Sequence, residues 1–150
     1  MDFLYRKAEK SDCERIAELF IEMLRTIYNT NDVEGYENGY LDKYFSEGED
    51  LIYVAEFDKE VVAFLSVEVY RTDSYVYLDD LSVTKKCRDK GVGTKLISLA
   101  ENYAKDLGVS AIVFHVEKMN EGAHRLYRKL GYLDHEDQGS RILMVKELKK

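Results

Sequence analysis

Two stretches of this sequence carry residue types better suited to chemistry than to packing. The first is Asp79-Asp80, in the middle of Tyr77-Leu-Asp-Asp-Leu-Ser-Val83. That run otherwise reads as a strand, and aspartate is disfavoured on a pleated, half-buried surface. A local rule broken in this way marks a candidate functional site. Neighbouring strand residues point to opposite faces, so alternation lets only one carboxylate of the pair face a reacting centre unless a β-bulge intervenes. The second stretch is Arg88-Asp-Lys-Gly91-Val-Gly93-Thr94, with two glycines where the chain turns from strand to helix. Glycine lets backbone amides approach a bulky anion, and a helix start adds unpaired N–H groups and the positive end of a dipole. The expected ligand is a phosphate or pyrophosphate.

Two glycine signatures fail on this turn. A dinucleotide fingerprint needs a third glycine where Leu96 stands, and a nucleotide P-loop needs glycine, lysine and serine or threonine in succession after four spacers. The pattern that fits is Arg/Gln-x-x-Gly-x-Gly/Ala after an apolar strand, and here the chain resembles the GNAT superfamily of N-acetyltransferases. Tyr77-Leu-Asp-Asp-Leu-Ser-Val83 before the turn is similar to that family. So is Asn120-Glu-Gly-Ala-His-Arg-Leu-Tyr-Arg-Lys-Leu-Gly-Tyr132 after it. The resemblance runs over about residues 3–148, with the specific motifs inside 77–132.

The resemblance implies transfer of an acetyl group from acetyl-coenzyme A, as co-substrate, to an amine. It implies that the turn residues Arg88, Asp89, Lys90, Gly91, Val92, Gly93 and Thr94 hold the coenzyme pyrophosphate. The pantetheine arm is then expected to pair with backbone along Leu81, Ser82 and Val83, with Asn120 contacting it; a helix N-cap is the structural alternative for Asn120. Amine acetylation needs a neutral amine, a stabilised oxyanion and a proton for the departing thiolate. By resemblance Asp79, the first member of the acidic pair, is the general base, directly or through water, and Asp80 orients substrate or holds structure. Tyr127 is by resemblance the general acid; as a plain reading of its helix face it is a core aromatic. A phenol with its ordinary pKa of about 10 stays protonated near neutrality, as a donor must.

The elements that position these groups are read from periodicity. A strand over 3–7 leads to Ser11-Asp-Cys-Glu14, a capping-box pattern opening a helix to about Tyr28, with Ile16, Leu19, Phe20, Met23 and Ile27 on one face. Tyr36, Tyr40 and Tyr44, spaced by four, suit a short second helix. With Tyr28 they are either an aromatic wall for an amine or packing residues. Strands over 51–57, 61–70 and 75–83 should form an antiparallel meander. A helix follows with Val92, Leu96, Leu99, Tyr103 and Leu107 inward, stopping at Gly108. Then come an apolar strand over 111–116, a helix over 122–130 and a final strand over 141–148. The class is mixed α/β, in the order β-α-α-β-β-β-α-β-α-β. The resemblance implies a GNAT-like fold, a central, mostly antiparallel mixed sheet flanked by helices.

A chain of 150 residues without proline, repeats or low-complexity tracts reads as one domain over 1–150. Its formal charge of -7 argues against nucleic acid as a partner and favours a cationic acceptor such as a polyamine, aminoglycoside or amino-acid derivative. A protein amino terminus or lysine is the alternative acceptor, and a non-catalytic acyl-coenzyme A sensor the alternative of another class. With no apolar run long enough to span a bilayer, no membrane association is expected, and the location is expected to be cytoplasmic. Cys13 and Cys87 form no CxxC unit, and His115, His124 and His135 have no ligand spacing, so no metal is expected and the histidines read as surface or core residues. By analogy with the family, a homodimer is an option.

Overall fold

A computed structural model describes residues 1–148. Strand β1 (Leu4–Lys7) is followed by helix α1 (Cys13–Tyr28). The meander is β2 (Leu51–Phe57), β3 (Glu60–Tyr70) and β4 (Tyr75–Val83), and helix α2 (Val92–Leu107), β5 (Ala111–Glu117), α3 (Glu121–Lys129), β6 (Leu133–Asp137) and β7 (Arg141–Glu147) complete the chain. These strands form one sheet in the order β1-β2-β3-β4-β5-β7-β6, antiparallel except for β4 against β5. The β2–β3 turn is tight because Asp58 and Lys59 both take left-handed backbone angles, which match the twist of a two-residue hairpin.

The sheet has a packed layer on each face. Alternation along β2 sends Leu51 and Ala55 to one cluster, shared with Val92, Leu96, Ile97 and Ala100 of α2, and Ile52 and Val54 to the other, shared with Ile16 and Leu19 of α1. The inward face of α2 is therefore centred on Val92, Leu96, Ile97, Ala100 and Ala104 rather than on Leu99 and Leu107, which are only half-buried.

Three expectations about elements are corrected. The start of α1 is not capped by Ser11: a short 3-10 turn (Lys10–Asp12) precedes it, and Asp12 Oδ2 accepts from the Glu9 amide at 2.8 Å while pairing with Arg6. The second helix is absent as such, because Asn29 goes left-handed at the end of α1 and the left-handed Gly39 starts only a 3-10 segment (Tyr40–Phe45). Tyr36 lies outside it, although its ring still stacks on Phe20 at 3.8 Å and on Tyr40 at 4.9 Å between centroids. β6 had no strand signal: every residue of Leu-Asp-His-Glu-Asp is exposed and three are acidic, and the segment is held by its ladder with β7.

Candidate active site

The site forms where the sheet comes apart. Parallel pairing of β4 with β5 runs from Tyr75↔Ala111 to Leu78↔Phe114 and stops, while β4 continues to Val83 and β5 to Glu117. Past that point the facing edges of the two strands no longer share hydrogen bonds, and their backbone is open to a ligand. At the same place β4 bulges against β3: Val67 pairs with Leu78 and Leu65 with Leu81, so Asp79 and Asp80 together oppose Ser66. The Ser66 hydroxyl closes the bulge by accepting from the Asp80 amide at 3.0 Å. The bulge breaks alternation, and both aspartates line one cavity of about 270 Å³.

Phenols back the pair. Tyr36 donates to Asp80 Oδ2 at 2.7 Å, Tyr40 to Asp79 Oδ2 at 2.5 Å, and Tyr44 approaches Asp79 Oδ2 at 3.4 Å. Tyr44 also donates to Glu68 at 3.0 Å, where Lys43 and Tyr70 meet the same carboxylate at 2.5 and 2.7 Å. Burial pushes the Glu68 carboxyl up, but Lys43 and the two phenols outweigh it and hold it below its ordinary value. Asp80 goes the other way: burial first, then the neighbouring Asp79 charge, push it up to about 7, against the hydrogen bond from Tyr36. The two carboxylates thus titrate as a coupled pair, with burial favouring the protonated form of Asp80. Tyr36 and Tyr40, expected either in an aromatic wall or as packing residues, are not among the residues lining the cavity; their hydroxyls hold the two carboxylates. Tyr28 does line it, donating to Glu117 at 3.2 Å.

Opposite the acids stands Tyr127 on α3, its ring edge-on to Phe114 at 4.6 Å. Its hydroxyl has no hydrogen-bond partner among the described residues, and no buried polar atom is left unpaired, so the hydroxyl is open to the cavity. Burial raises its pKa to about 12. Phe20, Met23 and Ile27 of α1, expected on a core face, supply the apolar wall.

A second cavity, about 680 Å³, adjoins the first through Leu81, Asn120, Met23 and Ile27, which line both. Its floor is the glycine turn: Arg88, Asp89, Gly91, Val92, Gly93 and Thr94 line it, as do Leu81, Ser82 and Val83 of β4. Asp89 and Gly91 are left-handed, Gly91 with φ +80°, which curls the loop under the start of α2. The first intrahelical bond is Lys95 N–H to Gly91 at 3.0 Å, leaving the Val92, Gly93 and Thr94 amides without helix partners at the cavity. Lys90 is exposed and outside the lining. Arg88 donates to the Val83 carbonyl at 2.9 Å and so braces the end of β4. The Ser82 hydroxyl is spent on the Leu19 carbonyl at 3.0 Å, leaving only its backbone to the site. Asn120 is the N-cap of α3, accepting from Ala123 at 3.4 Å, and lines both cavities as well.

The family model described as the acetyltransferase (GNAT) family matches residues 14–132. The chain belongs to the GNAT acetyltransferase family. This GNAT enzyme is 33% identical to the N-acetyltransferase YhfO of Bacillus subtilis over 140 residues, covering 89% of this chain and 91% of that protein. It is 30% identical over 152 residues to an N-acetyltransferase of Methanocaldococcus jannaschii, covering 96% and 91% respectively. The PaiA N-acetyltransferase of Thermoplasma acidophilum, solved in complex with coenzyme A, shares the fold with TM-score 0.82 at 20% identity, over 99% of this chain and 100% of that one.

Other site residues of the GNAT enzyme carried no sequence signal of function. His115, read as surface or core, lines the first cavity: its Nε2 faces Gln138 Oε1 at 2.9 Å, so Nδ1 is the acceptor for the Tyr77 hydroxyl at 2.5 Å. Burial, then Arg141, lower its pKa and keep it neutral, against the bond to Gln138. Glu117 and Arg141 line the same cavity. No group of three or more metal-ligating side chains occurs among the described residues, and no helix there is long and apolar enough to cross a membrane.

Proposed function

We propose that the enzyme transfers the acetyl group of acetyl-coenzyme A to the primary amine of a small molecule where its two cavities meet. The parting of β4 from β5 supports this reading most. It sets a slot, edged by free strand backbone, between an amide-lined groove and a cavity holding a carboxylate pair and a free phenol.

The Val92, Gly93 and Thr94 amides hold the pyrophosphate, with the dipole of the sixteen-residue α2 behind them. The pantetheine arm runs along the edge of β4 at Leu81 and Val83, bringing the thioester to Leu81 and Asn120. The amine enters the smaller cavity as an ammonium, drawn by Asp79 and Asp80. Asp80, ionised above about pH 7, takes the proton. This moves the base from the first to the second member of the pair and leaves Asp79, held by Tyr40, to attract the cation. The neutral nitrogen attacks the acetyl carbon, forming C–N. The tetrahedral intermediate collapses with loss of C–S; the thiolate takes the Tyr127 proton, and the nitrogen's second proton passes through solvent to restore the phenol.

Release of free coenzyme A thiol against amines of several classes, by wild type and by Tyr127→Phe, tests the proposal. A drop in kcat of roughly 10² with an unchanged KM for acetyl-coenzyme A is expected of the variant. Full turnover by Tyr127→Phe removes the general acid. Turnover confined to peptide amines overturns the small-molecule acceptor.

A further inference from the structure

The smaller cavity is not uniformly acidic. Arg141 is the one arginine or lysine among its lining residues, facing a lining that includes Asp79, Asp80 and Glu117. Lys43 reaches the acidic cluster only from behind, through Glu68.

Arg141 begins β7, directly across from Glu117 in the antiparallel ladder with β5. Opposite charges so placed ordinarily pair. Here Glu117 instead accepts the Tyr28 hydroxyl reaching over from the end of α1. Arg6, Arg15, Arg71, Arg88 and Arg128 each have a carboxylate partner; Arg141, like Arg25 and Arg125, has neither an ion pair nor a side-chain hydrogen bond among the described residues, and of these three only Arg141 lines the cavity. Its guanidinium is a free bidentate fork beside Tyr28, Tyr77 and His115. β5 separates it from the acids on β4, which puts roughly 10 Å or more between the two backbones, with side chains closing in from both sides. The cavity thus has an anionic pole on β4, a cationic pole on β7, and apolar lining from Phe20, Met23 and Ile27 of α1.

We propose that Arg141 binds a carboxylate carried by the acceptor itself, so that the preferred substrate is a zwitterionic, amino-acid-like molecule whose amine meets Asp79 and Asp80. This rests on the acetyl-transfer reading above and narrows it. A polyamine places a second ammonium against Arg141 and is disfavoured. An amino acid with an apolar side chain satisfies both poles and the wall.

The test compares methionine, phenylalanine and γ-aminobutyrate with their primary carboxamides, each with acetyl-coenzyme A, in wild type, Arg141→Gln and Arg141→Lys, alongside spermidine. The carboxamide of an α-amino acid loses its ammonium proton more readily, so amine chemistry alone favours the amide. A kcat/KM at least about 10-fold higher for the acid than for its amide in wild type is the expected result, the scale of one charge-assisted contact. That ratio should fall toward unity in Arg141→Gln and recover in part in Arg141→Lys, through KM for the acceptor. Amides turned over as well as acids, an unchanged ratio in Arg141→Gln, or turnover of spermidine alone overturns the inference and leaves acetyl transfer standing. No turnover of any amine overturns both. A melting temperature for Arg141→Gln close to wild type separates lost recognition from lost folding.

Discussion

Replacing Asp79 by asparagine should move the acid limb of the pH–rate profile to lower pH, and replacing Asp80 should abolish it. Asp80 is lifted to about 7 from the ordinary 3.8, mainly by burial and next by the charge on Asp79. Two carboxylates within the ~6 Å range where like charges perturb each other repel by about 3 kcal/mol at an effective dielectric of about 20. That corresponds to about two pH units, and the hydrogen bond from Tyr40 delocalises part of the charge. A downward displacement of about one to two pH units is therefore expected for Asp79→Asn, whose amide oxygen can still accept from Tyr40. For Asp80→Asn the limb should vanish and the rate fall by about 10² to 10⁴, the usual contribution of a positioned base. The assay is kcat/KM for one amine between about pH 5 and about pH 9, which reports the free enzyme. The amine's own ionisation is common to all three proteins and cancels in the comparison. A limb unmoved by Asp79→Asn refutes the coupling. A wild-type limb in Asp80→Asn, lost instead in Asp79→Asn, returns the base to Asp79.

Tyr36→Phe removes a hydrogen bond that favours the ionised Asp80, so the acid limb should rise by about one pH unit, opposite in sign to Asp79→Asn, in the same assay. Asp80 should also be a liability for folding. Its folded pKa lies above its unfolded value, so its contribution to stability is present below about pH 4 and lost as pH rises through about 7. Asp80→Asn should therefore gain stability over wild type between about pH 4 and about pH 8, by no more than about 4 kcal/mol, read from urea midpoints at the two ends. Gly91→Val forces a β-branched residue to φ +80° at a strain of about 1–3 kcal/mol, so KM for acetyl-coenzyme A should rise by about tenfold and the melting temperature fall; an unchanged KM contradicts the amide cradle.

The sequence made the scaffold legible wherever local and tertiary preferences agree. The meander, α1 to Tyr28 and the glycine turn are read from periodicity and from residue chemistry, and the structure has them in those places. β6 lacks such agreement: nothing in Leu133–Asp137 favours a strand, and only pairing with β7 makes one. The bulge is the sharper case. Two adjacent aspartates in an apolar strand were visible as an anomaly, but their convergence depends on Ser66 of β3, 14 residues away. Tyr36 and Tyr40 were visible as polar aromatics near a site, but whether they face the ligand or the carboxylates depends on where the chain turns after Asn29. Arg141 and His115 sit in strands that no motif marks, and become site residues only because β5 and β7 flank the opening in the sheet. For Arg141, a hint was present in a cation opening the apolar run Ile142–Val145, too common a pattern to single it out.

Acetyl transfer at the carboxylate pair is tested most directly by coenzyme A thiol release in a double variant, Asp79→Asn with Asp80→Asn, alongside calorimetric binding of acetyl-coenzyme A. The predicted result is turnover reduced by at least about 10² with acetyl-coenzyme A affinity retained, because the groove proposed to hold the coenzyme is built from α2 amides and the edge of β4. Turnover at the wild-type rate in the double variant would contradict the account and send the search for the base elsewhere in the cavity, to the Tyr77–His115 pair first.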